Sequence, residues 1–138
     1  NRFIVLILLS IPHTVYLTSS HIHFTLDCPS NQIYAKITKR TEYYAYEESF
    51  KIYSGSTAVY SSPSLVSNDE RVIEVCLSGP SNYQYTLEMN DSGGDSWSNG
   101  CWIKIESING NVMFKGMMTE MRTQTEPLSL YSPINKYS

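Results

Sequence analysis

Asp91 and Asp95 sit four positions apart in the stretch NDSGGDSWSNG, residues 90–100. Carboxylates this close in a glycine-rich segment are hard oxygen donors of the kind calcium takes, with help from Asn90, Ser92 or backbone carbonyls. Two carboxylates are few for a tight site, and the alternating Asp series of an EF-hand loop is missing. Trp97 and Trp102 offer a second chemistry, since an exposed indole face is a stacking platform for a glycan. Asn90-Asp91-Ser92 is an N-x-S sequon, a glycan acceptor if the chain is exported.

The reading without a ligand is that the loop builds its own small core. Gly93, Gly94 and Gly100 permit positive φ, so the chain can fold back tightly. Asp91 and Asp95 can tie loop N–H groups as Asx turns do. Trp97 then closes the end of the fold, with its indole N–H bonded to the loop.

Other chemistry is thinner. Beyond residue 23 the chain has no histidine, and no G-x-S-x-G elbow precedes any serine. A Ser–His or Cys–His pair would have to draw on His21 or His23. Those two could hold Cu(II) only if a free amine began at residue 21. Glu42, Glu47, Glu48 and Glu88 have no spacing that singles out a glycosidase pair. We therefore expect no enzyme and no required cofactor, calcium being the one candidate.

Cys28, Cys76 and Cys101 are the three cysteines. An exported chain would make one disulfide and leave one thiol over. Cys76–Cys101 is the expected pair, because a single strand separates them in sequence; the leftover thiol could link chains. None has CxxC spacing, which speaks against zinc.

The elements that must position these residues read as strands. Alternation runs over 21–26, then 32–38 with Ile33, Ala35 and Ile37 inward. It continues over 71–77 with Ile73, Val75 and Leu77 on one face, over 83–89, and over 101–105 with Cys101, Ile103 and Ile105 opposite Trp102 and Lys104. The Tyr-rich segment 41–53 reads as one long strand or two. Ala58 and Val59 fall in a short strand, Asn109-Gly110 in a hairpin turn, Val112 and Phe114 in the return strand, and Leu128 and Leu130 in a last edge strand. Residues 116–122 are the one helical candidate. Eight or nine short strands with eleven Tyr in 138 residues predict a single all-β domain, an antiparallel sandwich or jelly roll, over 21–138.

Residues 83–105 resemble the DSYGDGW module of secreted and surface β-sandwich proteins of protists and bacteria. Asp91, Ser92, Gly94, Asp95, Trp97, Ser98 and Gly100 match it. Gly93 stands where the module usually carries an aromatic, and Ser96 where it usually carries Gly. The resemblance implies an extracellular β-sandwich and little about activity.

Residues 1–20 are different in character. Arg2 precedes seven apolar residues, 3–9, and Thr18 and Ser20 precede a possible cleavage point. The segment reads as a secretory signal peptide lacking its first residues, or as an apolar strand donated to a neighbouring subunit. The run is too short to span a membrane. Net charge is −3 with 17% charged residues, which argues against a nucleic-acid partner. Tyr43, Tyr44, Tyr46, Tyr53 and Tyr60 suit sheet packing and a self-associating surface. The expected function is a non-enzymatic extracellular structural module, a filament or surface-coat subunit. The alternative is a calcium- or glycan-binding adhesion module centred on 91–100.

Overall fold

The computed structural model describes residues 13–18, 21–79 and 82–130. The apolar run 3–9, read above as signal or donor strand, and the cleavage point at Ser20 lie outside them. Ten strands follow in order: β1 His13–Thr18, β2 His21–Leu26, β3 Gln32–Arg40, β4 Glu48–Ser54, β5 Thr57–Ser61, β6 Glu70–Ser78, β7 Gln84–Asp91, β8 Trp102–Glu106, β9 Val112–Gly116 and β10 Thr123–Ser129. Two four-stranded antiparallel sheets, β10-β7-β4-β5 and β6-β3-β8-β9, pack face to face; β1 and β2 pair as a separate hairpin. The expected all-β sandwich is the fold. β1 falls inside the segment assigned to a signal or donor strand.

Period-2 patterning builds the core. Ala35 and Ile37 of β3, Leu77 of β6, and Ile103 and Ile105 of β8 face Phe50 and Ile52 of β4, Tyr85, Leu87 and Met89 of β7 and Leu128 of β10, all buried. Each large side chain contributes about 1.5–3 kcal/mol by leaving water. Register fixes the rows: Ile37 lies opposite both Ile73 and Ile105, and Ile52 opposite Leu87. The β8–β9 turn is the anticipated Asn-Gly hairpin, with Gly110 at φ 82.

Two local expectations fail. Residues 41–47 are not strand: Tyr44 takes φ 59, left-handed, and a single 3-10 turn, Ala45–Glu47, enters β4. The segment crosses from one sheet to the other, so its tyrosines have no ladder to join. Residues 116–122 form no helix; they cross between sheets with Met118 plugged into the core.

The disulfide is Cys28–Cys76, with Cα atoms 5.5 Å apart, and Cys101 is free and buried. This corrects the Cys76–Cys101 expectation. β6 and β8 do flank the same strand, but Cys76 pairs with Tyr34 on the outer face while Cys101 shares the inner face of Ile103 and Ile105. The two sulfurs are on opposite sides of one sheet. A buried Cys101 also removes the proposed link between chains.

Candidate functional site

The loop between β7 and β8 caps one end of the sandwich. Trp97 is 4% exposed and donates its Nε1–H to the Asn90 carbonyl at 3.0 Å, so it plugs the core beneath its own loop as expected. The loop is stitched to both neighbouring crossovers. Ser92 N–H donates to the Glu47 carbonyl, Ser98 Oγ to the Tyr43 carbonyl, Ser96 N–H to the Met121 carbonyl and Ser96 Oγ to the Met118 carbonyl. Gly94 and Gly100 use φ of 78 and 94, and Ser96, a non-glycine residue, is held at φ 74.

Asp91 ends the inward row of β7, is 3% exposed, and accepts the Asp95 N–H on Oδ2 at 2.9 Å. The Asx tie is therefore made by Asp91. The Asp95 carboxylate, expected to bond loop backbone, takes no hydrogen bond from a described residue and points to solvent. It lies instead with Asp91 and Glu47, one oxygen from each within 4.8 Å of the others. Glu47 was not foreseen; it reaches the group because residue 93 has no side chain. Among the described residues no Lys or Arg pairs with these three acids. Together with Tyr44, Glu48, Ser96, Trp97, Ser98 and Asn99 they line a cleft of about 230 Å³. Tyr44 lines it, and Tyr43, Tyr44 and Tyr46 of the same crossover are exposed by 66%, 61% and 75%.

The two tryptophans read as glycan platforms lie in different settings. Trp97 is buried. Trp102 faces outward from β8, half-buried, and Lys115 Nζ sits 4.8 Å over its ring. The exposed aromatic surface belongs to the tyrosines. The sequon side chain is likewise engaged: Asn90 Nδ2 donates to Glu88 at 2.9 Å and Oδ1 accepts from Thr123 at 2.9 Å. A glycan on Asn90 Nδ2 would leave a single N–H to make the first of these.

Beneath the cleft lies a buried polar cluster that sequence reasoning missed. Lys39, 0% exposed, donates from Nζ to Glu48 Oε2 at 2.6 Å and to the Arg40 carbonyl at 3.0 Å, under the Trp97 ring at 3.8 Å. The Cys101 thiol donates to Glu48 Oε1 at 3.0 Å and its sulfur accepts the Glu42 N–H at 3.2 Å. Burial lowers the Lys39 pKa from its ordinary value, against the pull of Glu48. Burial, then the Glu48 hydrogen bond, pushes the Cys101 thiol up to about 11. Cys101 is thus a protonated, sealed thiol.

No family model, curated protein or solved structure matches the chain.

Proposed function

We propose that the chain is a non-enzymatic extracellular binding module of adhesion type. It works through the β7–β8 end of the sandwich, with calcium held by Glu47, Asp91 and Asp95. The observation that carries this reading is the convergence of three carboxylates, with no described basic partner, on a cleft that the exposed Tyr44 also lines. Like charges gathered this closely repel one another, and a divalent cation relieves that repulsion. All three are hard oxygen donors, the type calcium takes, and the loop backbone and water can complete the six to eight oxygens it needs. Tyr43, Tyr44 and Tyr46 then supply the aromatic surface for a glycan or protein partner. The disulfide supports export, because such bonds persist in oxidising compartments. The β-sandwich agrees with the DSYGDGW resemblance.

Calorimetry of the full chain tests this. Millimolar calcium is expected to raise the melting temperature and a chelator to reverse it, since a ligand that binds only the folded state stabilises it. Glu47→Gln and Asp95→Asn are expected to abolish the shift. An unchanged melting temperature in calcium would sink the reading.

A second reading, self-assembly as a coat or filament subunit, is supported by one observation. Val66, 67% exposed, joins the three tyrosines at the same end, where Thr41 Oγ1 donates to the Val66 carbonyl. Exposed apolar surface of this kind marks association sites. Sedimentation over a range of concentrations would expose it, and Tyr44→Ser with Tyr46→Ser should return the chain to monomer.

A further inference from the structure

Lys39 Nζ and Glu48 Oε2 are 2.6 Å apart, and the two side chains are 0% and 1% exposed. They come from strands in different sheets, β3 and β4. The carboxyl carbon lies one C–O bond, ~1.2 Å, beyond that oxygen, and so no more than about 3.8 Å from Nζ. An amine and a carboxyl group held dry and in contact are the reactants of an amide condensation. The geometry points to an intramolecular amide bond between Lys39 Nζ and Glu48 Cδ, formed after folding and joining the two sheets covalently.

The chemistry needs a neutral amine and a neutral carboxylic acid. The Nζ proton passes to Oε2 across their 2.6 Å contact, which leaves an amine with a free lone pair beside a carboxyl group that can depart as water. The lowered pKa of Lys39 acts in the same direction. The Nζ lone pair attacks Cδ, and a C–N bond forms. The Cys101 thiol, on the other carboxyl oxygen at 3.0 Å, donates a hydrogen bond to the oxygen on which negative charge develops. A proton leaves nitrogen, the carboxyl hydroxyl takes it, and the C–O bond breaks. The products are one secondary amide and one water; no oxidant, cofactor or energy source enters the balance. Cys101 ends as it began, a thiol bonded to what is now the amide oxygen.

Position replaces activation. Well-oriented partners react as though at effective concentrations on the order of 10⁵ M or more. The Arg40 carbonyl holds one N–H of the amine, and the Trp97 ring at 3.8 Å keeps solvent away from it. Trp97 therefore has a second task beyond closing the loop: it seals a reaction chamber.

The test is intact mass of the full, folded chain, unfolded and reduced before measurement. The chain is expected to be lighter than its sequence by one water, with peptide mapping giving a branched fragment that joins residues 39 and 48. Glu48→Gln should lose ammonia instead and reach the same final mass as the wild-type product. Lys39→Met should show no loss. Cys101→Ala should form the bond more slowly, seen as unmodified mass that declines over time. A cooperatively melting wild-type chain that keeps its full mass overturns the proposal, as does a water loss mapped to any other pair. If Lys39→Met does not fold, the wild-type mass and the Glu48→Gln product still decide. Formation at an unchanged rate in Cys101→Ala would remove the thiol from the mechanism.

Discussion

The Glu47 carboxylate occupies the space that a β-carbon at position 93 would need: an ideal Cβ on Gly93 falls 2.2 Å from Glu47 Oε2. Gly93 has no positive φ, so its role is steric room and not backbone freedom. The absence of a side chain at position 93 is thereby linked to a third carboxylate beside Asp91 and Asp95.

Gly93→Ala should therefore separate fold from site. The displaced group is the far end of a flexible side chain, so Glu47 can swing aside and stability without calcium should change by less than about 1 kcal/mol. Calcium affinity should fall about tenfold or more, equal to ~1.4 kcal/mol or above, with one of three carboxylates withdrawn. Titration calorimetry checks this. Equal affinity in Gly93→Ala and wild type would mean that Glu47 is no ligand.

The sandwich was legible in the sequence because alternation reports burial directly. The same rule, carried one step further, reaches the site. Lys39 continues the inward row of Ala35 and Ile37, Glu48 begins the row of Phe50 and Ile52, Asp91 ends the row of Tyr85, Leu87 and Met89, and Cys101 begins the row of Ile103 and Ile105. Four polar residues at the ends of four inward rows announce a buried polar cluster at one pole. Which of them pair was not legible, because register across sheets is a tertiary fact. Glu47 was hidden for another reason. It lies in a crossover whose left-handed Tyr44 breaks the alternation that made 41–53 look like strand. The disulfide was misassigned because proximity in sequence was weighed above the face on which each cysteine lies.

Ser96 offers a test of the strained loop. A non-glycine residue at φ 74 costs roughly 1–2 kcal/mol, and its Oγ bond to the Met118 carbonyl at 2.8 Å returns about 1 kcal/mol. Ser96→Gly relieves the first and loses the second, so its stability should lie within ~1 kcal/mol of wild type. Ser96→Ala keeps the strain and loses the bond, and should be about 1 kcal/mol less stable than wild type. Urea denaturation of the two variants side by side measures the difference. Ala as stable as Gly would contradict the left-handed assignment.

The Cys28–Cys76 bond ties the connection between β2 and β3 to the outer face of β6 across 48 positions. Constraining a loop of that length in the unfolded chain is worth about 4 kcal/mol. The bond is outside the core, so Cys28→Ser should keep the cooperative transition and lower the unfolding free energy from urea denaturation by that amount. Cys76→Ser should match it. Unequal losses would show that one sulfur has a role besides the disulfide.

Cys101 links stability to pH with a definite sign. Its thiol pKa rises from the ordinary 9.0 to about 11 in the fold, chiefly through burial and then through the Glu48 hydrogen bond. Between those values the unfolded chain has released the proton and the folded chain still holds it. The folded state then binds more protons, and stability falls as pH rises. This contribution is complete below pH 9 and lost by about pH 11, with a size of up to roughly 2–3 kcal/mol. Cys101→Ala lacks the titration, while ionisations remote from Cys101 cancel in the comparison. The advantage of wild type over Cys101→Ala should be constant from pH 7 to 8.5 and shrink between 9 and 11. Denaturant titrations at those values follow the trend directly. An advantage that grew with pH would mean the thiol is held as thiolate, and the hydrogen bond from Cys101 to Glu48 would run the wrong way.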